Sequence, residues 1–214
     1  MGRRTAAKTQ PARTRLGVDD EAELLRRLRT GDEQAFGELV DRYHERLVRF
    51  AHTFVHDHAA AEDVAQETWL AALRGLDGYE ARSSLSAWLM SICANRARTM
   101  FVRQARVSPM DMNEATVDPA RFNSAQAWVD PPDPWDLVDA RLDASVLASL
   151  VRAAIADLPV QQRQVVTLRD VEGLTSTEAC EILAISEGNQ RVLLHRGRAR
   201  VRAALDPHLR RTST

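Results

Sequence analysis

The feature that most limits what this chain can fold into is residues 174–202, LTSTEACEILAISEGNQRVLLHRGRARVR, where a short apolar helical pattern runs into a turn and then into a strongly basic helical pattern. Thr175 with Glu178 three positions on has the spacing of a capping box, which predicts a helix start and the burial of Ala179, Ile182 and Leu183. Ala184-Ile185-Ser186 reads as the turn, with Ser186 as the N-cap of a longer helix. Along that helix Arg191, Arg196, Arg198, Arg200 and Arg202 meet only Glu187 as an acid before Asp206, so it needs an anionic partner or full hydration. A support helix, a turn and a basic helix form the helix-turn-helix arrangement, in which the second helix lies in the major groove. The other reading of the same residues is a helical hairpin with a solvated arginine face.

The 214 residues suffice for one large domain or two small ones, each with a core. A hydrophobic share of 44% with 28% charged residues is that of an ordinary soluble globular chain. No apolar run approaches the roughly 20 residues of a membrane span, and the basic N-terminus is not followed by an apolar signal region, so a cytoplasmic protein is expected. The net charge of −1 conceals an uneven distribution: residues 1–17 carry Arg3, Arg4, Lys8, Arg13 and Arg15 and no acid. Lys8 is the only lysine, a bias that a GC-rich genome explains as well as a need for bidentate pairing does. Cys93 and Cys180 stand alone in apolar helical contexts, resembling neither a disulfide framework nor a zinc site.

Residues 1–18 lack periodicity and read as a disordered basic tail. Within residues 32–55, Phe36, Leu39, Val40, Tyr43, Leu47, Phe50 and Phe54 recur at three and four residue steps, the core stripe of one long helix. In residues 59–74, Val64, Ala65, Trp69 and Leu73 are expected to face inward while Glu62, Asp63, Gln66 and Glu67 gather on another side. Asp63 and Glu67 are like charges four apart, a spacing that costs an isolated helix a few tenths of a kcal/mol. A basic partner surface would account for them, and so would solvation near a helix N-terminus.

A glycine-punctuated loop, residues 75–84, leads into a helix over 85–103. On that helix Leu85, Trp88, Leu89 and Ile92 make the apolar side, and Ser91, Asn95 and Arg98 share a polar one. Tyr79 beside Arg82 and hydroxyls, ahead of an Asn/Arg face, suits single-stranded nucleic acid, whose bases stack on rings. Trp88 fits the core stripe better than a stacking platform. Residues 107–139 lose all period and, rich in Pro, Asp and Asn, read as an extended acidic linker, with Trp128 and Trp135 as docking points. Such acidity either mimics a nucleic-acid strand in a positive channel or simply keeps the linker solvated. From Arg141 a second helical domain begins: Leu142, Val146, Leu150, Val151, Ala154, Ile155 and Leu158 form a stripe, Pro159 starts the next helix, and Val165, Val166 and Leu168 extend the core to Gly173.

In this order the stretches AFGELVDRYHERLVRFA, AEDVAQETWLAAL, LDGYEARSSLSAWLMSICANRAR and LPVQQRQVVTLRDVEGLTSTEACEIL resemble a bacterial RNA polymerase sigma factor of the extracytoplasmic-function group of the sigma-70 family. The likeness spans about residues 31–204 apart from the linker. It implies an all-α fold of two small domains: a four-helix unit over 19–106, the linker over 107–139, and a four-helix unit over 140–206 ending in the helix-turn-helix, with a tail over 207–214. It implies that Glu62, Asp63, Gln66 and Glu67 dock on core RNA polymerase. Asp77, Tyr79, Arg82, Ser83, Ser84, Trp88, Asn95 and Arg98 would capture the non-template strand of the −10 promoter element. Thr175, Ser186, Glu187, Asn189, Gln190, Arg191, Leu194, His195, Arg196 and Arg198 would serve the −35 element. On this reading Arg196, Arg198 and Arg200 hold phosphates, whereas Asn189, Gln190 and Arg191 choose sequence. The linker would thread toward the active-site cleft, and an anti-sigma factor is a further possible partner.

The chain departs from the family in two places, the turn and the start of the reading helix. Ala184 replaces a common glycine at a left-handed turn position, at a cost of about 1 kcal/mol or a shifted turn. Gln190 stands where an apolar anchor is common and Leu193 where an arginine is, which would rotate the reading helix. No catalysis, metal or other cofactor is expected. The competing readings are a free-standing helix-turn-helix regulator and an enzyme with a metal at His52, His56, Asp57 and His58. The chain has no HExxH glutamate, P-loop or glycine-framed nucleophile to support the enzyme.

Overall fold

The computed structural model describes residues 18–55, 57–107 and 144–211. The basic tail over 1–17, His56 and the greater part of the linker, with Trp128 and Trp135, therefore lie outside the described residues, as does Leu142. All regular structure among them is helical. In the N-terminal half stand α1 (Val18–Arg29), α2 (Glu33–Ala51), α3 (His58–Gly75) and α4 (Leu85–Val107). The C-terminal half holds α5 (Ala144–Ala156), α6 (Val160–Val166), α7 (Ser176–Leu183) and α8 (Glu187–Arg211).

Each boundary has a local cause. Gly31 takes a positive φ of 77° after α1, and the Asp32 carboxylate then caps α2, accepting from the backbone N–H groups of Gln34 at 2.9 Å and Ala35 at 3.1 Å. Arg27 of α1 holds the same carboxylate at 2.8 Å, fixing the angle between the two helices. The long periodic stretch over 32–55 is helical only to Ala51; Thr53 then turns its hydroxyl onto the Phe50 carbonyl at 2.7 Å, and Asp57 caps α3. Leu24, Leu25 and Leu28 of α1, the Leu39–Tyr43–Leu47–Phe50 stripe of α2, Val64, Ala65 and Trp69 of α3, and Leu85, Leu89, Met90 and Cys93 of α4 close one core. Burial pushes the Cys93 thiol up to about 12, so this sulfur packs as a small apolar group.

In the C-terminal half α8 is the long member, running past residue 206 to Arg211, and Val192, Leu193, Leu194, Val201 and Leu205 are buried along it. Gly197 marks its closest approach to α6: a Cβ there would sit 2.6 Å from Val166 Cγ2. Val146 was expected inside but is exposed, because Ala154 farther along α5 and Leu158 just after its end supply the contact with this core. After α6 the chain makes a π-helical turn, Thr167–Val171, and Gly173 at φ 67° breaks it. Leu168, Leu174, Ala179 and Ile182 then join the N-terminal core, while Leu183 touches both.

The capping box at Thr175 and Glu178 forms as expected, each side chain holding the other's backbone N–H. Ala184 ends α7 in the left-handed conformation, φ 55° and ψ 45°, so the turn keeps a glycine geometry with a Cβ in it. Ala184→Gly should therefore raise the unfolding free energy, by about 1 kcal/mol less glycine's entropic cost. Urea melts of the two full-length chains check this, and an unchanged or lowered midpoint would count against strain at the turn.

Candidate polymerase and nucleic-acid surfaces

On α3 the inner face is filled by Val64, Ala65, Thr68, Trp69 and Ala72. This leaves Asp63, Gln66 and Glu67 exposed in a stripe along the outside. Glu62 instead sits at the rim, its carboxylate 3.2 Å from His44 Nε2 and 3.6 Å from His58 Nε2. His44 is itself positioned by Trp69, whose Nε1 donates to His44 Nδ1 at 3.3 Å. Leu73 was expected in the core but is 49% exposed, and Leu70 one turn after Gln66 is 54% exposed. The inner stripe is complete without either. Sequence reasoning missed Leu70 and Leu73 as surface groups; the signal was an apolar residue at i+4 from Gln66 on a face that is otherwise acidic. The outer side of α3 thus offers carboxylates that lead into two apolar side chains.

The loop before α4 opens with a short 3-10 turn, Leu76–Gly78. Tyr79 is no stacking platform: it is buried, its ring centroid 4.7 Å from that of Trp88, and its hydroxyl donates to the Ser83 carbonyl at 2.5 Å. Burial, with the Glu21 carboxylate 3.3 Å away, pushes the phenol far above its ordinary range and keeps it a neutral donor. Glu21 also accepts from the Leu85 backbone N–H at 2.6 Å, and Arg29 donates to the Tyr79 carbonyl. Ala81 is held at φ 55°, a left-handed conformation that these bonds stabilise. The loop is therefore preformed. It encloses an open hollow with Tyr79 and Trp88 as aromatic wall and Gly78, Glu80, Arg82 and Ser83 as rim. Asp77 and Arg82 are exposed beside it, Arg82 paired with Glu80.

Of the remaining residues on this side, Asn95 faces solvent, but Ser84 and Arg98 are turned toward the other domain. The Ser84 hydroxyl donates to Glu178 Oε1 at 3.0 Å and accepts from the Ala87 N–H as the first cap of α4. Arg98 donates to the Ile182 carbonyl and, at 3.0 Å, to Asn95 Oδ1.

In the helix-turn-helix, Ser186 caps α8, accepting from the Asn189 N–H at 3.2 Å. Glu187 and Arg191 are exposed one turn apart with 3.4 Å between them, and Asn189, His195, Arg196 and Arg198 are half-buried. Thr175 is occupied as the α7 cap. Two assignments need correction. Gln190 is 1% exposed, with Oε1 accepting from the Ser176 hydroxyl at 3.1 Å and Nε2 buried without an acceptor, so it cannot read a base. Leu194 is buried in the C-terminal core. The helix is not rotated: Gln190 occupies the inward anchor position with an amide in place of an apolar side chain. Arg198, expected on phosphate, is engaged by Asp170 at 2.9 Å, an acid 28 positions earlier that a search along the helix alone could not find.

Because the Gln190 N–H groups lose water without gaining a partner, Gln190→Leu should stabilise the chain by about 1 kcal/mol and leave DNA binding unchanged. Denaturation and promoter-fragment binding measured together check both halves, and loss of binding by a well-folded variant would restore Gln190 to the reading surface.

Comparison with known proteins gives a consistent picture. The family described as Sigma-70 region 2 matches residues 39–107, and the one described as Sigma-70, region 4 matches residues 148–201. The RNA polymerase sigma-H factor of Pseudomonas aeruginosa is 30% identical over 91% of this chain and 98% of its own length. The ECF RNA polymerase sigma-E factor of Escherichia coli K12 is 29% identical over 88% of this chain and 95% of its own. Among solved structures, the sigma factor RpoE of Bartonella quintana, in complex with the anti-sigma factor NepR, superposes with a TM-score of 0.54 at 22% identity, covering 80% of this chain and 96% of that one. CnrH, in complex with the cytosolic domain of CnrY, superposes with a TM-score of 0.53 at 24% identity over 87% of this chain and 97% of that one. At these identities the superpositions speak to fold alone.

Proposed function

Since the chain belongs to the extracytoplasmic-function group of the sigma-70 family and is a transcription initiation factor, we propose a division of its described surface between polymerase and promoter. The observation that carries it is that α3 and the start of α8 each leave a charged stripe outside while the opposite face of each helix is packed into a core. Asp63, Gln66 and Glu67, continued by Leu70 and Leu73, dock on core RNA polymerase; Glu62, held near two histidines, borders that contact. Carboxylates around an apolar step suit a basic, partly apolar helical surface, with charge steering the encounter and the leucines supplying buried area.

The hollow beside Tyr79 and Trp88 receives an unstacked base of the −10 non-template strand, with Arg82, Ser83 and Asp77 at its rim and Asn95 farther along the strand path. Tyr79 acts here by shaping the loop, as its hydroxyl is spent on Ser83. Ser84 and Arg98 belong to the same path once released from α7. The helix from Glu187 enters the major groove of the −35 element. Asn189 and Arg191 read base edges, His195, Arg196 and Arg200 meet phosphates, and Thr175 and Ser186 present helix N-termini to the backbone. Trapping unstacked −10 bases assists duplex opening.

The chain supplies binding energy and orientation and performs no chemistry itself, acting in the cytoplasm where the polymerase is found. The domain division proposed is 19–106 for the polymerase and −10 unit, 107–139 for the linker and 140–206 for the −35 unit. The solved relatives RpoE and CnrH are complexes, and sequestration of this chain by an anti-sigma factor of its own is proposed by likeness to the NepR complex.

Reversing Asp63 and Glu67 to arginine should abolish co-purification with core polymerase, with helical content and melting unchanged because both side chains are exposed. Retained association would remove α3 as the docking surface. Arg191→Ala should weaken holoenzyme binding to its promoter by roughly 1–3 kcal/mol while leaving scrambled DNA less affected. An equal loss on both DNAs would make Arg191 a phosphate contact only.

A further inference from the structure

The π-helical turn and the residue after it carry two acids in different surroundings, Asp170 and Glu172. Glu172 is 1% exposed and accepts from Arg46 Nε of α2 at 2.6 Å, which makes it part of the packing between the two domains. Asp170 lies nearer the surface of the C-terminal unit and meets Arg198 of α8. Arg198 Nε donates to Asp170 Oδ2 at 2.9 Å and a terminal nitrogen donates to Oδ1 at 2.5 Å, the arginine and aspartate side chains being 36% and 24% exposed. The fold around this pair is closed by other means. The Glu172 N–H donates to the Thr167 carbonyl and the Leu174 N–H to the Leu168 carbonyl, each at 2.9 Å, and Arg169 donates to the Leu174 carbonyl. Gly197 seats α8 against α6, and Val201 and Leu205 are buried beyond it. An ion pair standing partly in water adds little to such packing.

Its position on α8 matters more. Arg191, His195, Arg198 and Arg202 follow one another at steps of four, three and four residues, so they share one flank of the helix, while Arg196 and Arg200 occupy the other. Arg198 stands seven residues, about 10 Å, beyond Arg191 on that flank. With the start of α8 in the major groove, this distance carries Arg198 to the sugar-phosphate wall, where a guanidinium releases a counterion and adds affinity for any sequence. We propose that Asp170 is an affinity-limiting residue: by engaging two donors of Arg198 it withholds this arginine from the DNA backbone and keeps the sequence-independent part of promoter binding low. The inference rests on the placement of α8 in the −35 groove given above. Carboxylate and phosphate compete for the same fork of N–H donors, and the carboxylate is already aligned. A phosphate contact strengthens binding to every site alike, so one fewer leaves a larger share of the affinity to Asn189, Arg191 and the −10 strand. Asp170 touches neither base nor phosphate and acts through Arg198, as a positioning residue.

The test uses holoenzyme assembled from core polymerase and the full chain. Equilibrium binding is measured across a range of salt, on a fragment carrying a promoter that the holoenzyme transcribes and on the same fragment with its −35 element scrambled. Asp170→Asn keeps the side chain's shape and removes the charge that competes with phosphate. It should steepen the fall of the logarithm of the binding constant with that of salt by about 0.9, and tighten both fragments up to about eightfold at roughly 0.1 M salt, the factor that slope gives per decade. Arg198→Gln in the otherwise unaltered chain should change neither slope nor affinity, and added to Asp170→Asn it should cancel the gain. A slope about 0.9 shallower for Arg198→Gln alone overturns the proposal, since Arg198 then already holds a phosphate; this measurement decides the matter if Asp170→Asn fails to fold. A gain in Asp170→Asn that survives the added Arg198→Gln also overturns it, because Asp170 then acts by repelling DNA itself. So does an unchanged slope in a folded Asp170→Asn chain. Arg196→Gln and the scrambled element control for the groove. If neither alters binding, the placement of α8 has failed and the inference with it; if both do while Asp170→Asn does not, only the restraint on Arg198 is lost.

Discussion

A carboxylate as deeply buried as Glu172 has to be met by a cation, and in this chain the cation comes from the other domain. Removing one partner of such a pair leaves a buried unmatched charge and costs about 3–5 kcal/mol, whereas the intact pair contributes little net stability. Its influence is geometric: it fixes where the π-helical turn sits against α2, and with it the angle at which Leu174 and α7 meet α4. The domain contact is thus specified by a bond that tolerates few alternatives and surrounded by apolar groups that would tolerate many.

The helices themselves were legible because each buries one continuous stripe. The Leu39–Tyr43–Leu47–Phe50 series, the capping box at Thr175 and Glu178, and Ser186 as the cap of α8 all depend on spacing within a single element, which a sequence displays directly. The limits of periodicity show at Leu73 and Val146. Both fit an apolar stripe, but whether an edge position is covered depends on the breadth of the partner helix, and α3 fills its inner face with Ala65, Thr68, Trp69 and Ala72 before Leu73 is needed.

The site residues divided along the same line. Asp63, Gln66 and Glu67 are outside because the packing of α3 is made by its other face, Val64, Ala65, Thr68, Trp69 and Ala72. Gln190, Tyr79 and Arg198 were misplaced because a polar label says only that a group needs partners, not where they are. Gln190 finds Ser176 across the turn, Tyr79 finds Ser83 and Glu21, and Arg198 finds Asp170, the last two relationships crossing between elements distant in sequence. Likeness to a family correctly marked 190 as an anchor position. It could not say whether the amide would be accommodated there or would swing the helix.

The two left-handed alanines bear on how the surfaces are presented. Ala81 lies in the loop of the aromatic hollow and Ala184 in the turn of the helix-turn-helix, so each surface proposed for nucleic acid contains one position where a Cβ is carried in a conformation that disfavours it by about 1–2 kcal/mol. The strain persists at Ala81 because Arg29, Glu21 and the Tyr79 hydroxyl fix the backbone on either side, and at Ala184 because its N–H and that of Ile185 bond back into α7. Glycine would relieve the strain but would also loosen both turns in the unfolded and partly opened chain. With alanine, each turn either holds its one geometry or is lost together with the helix beside it. That holds the hollow and the turn of the helix-turn-helix each to a single geometry.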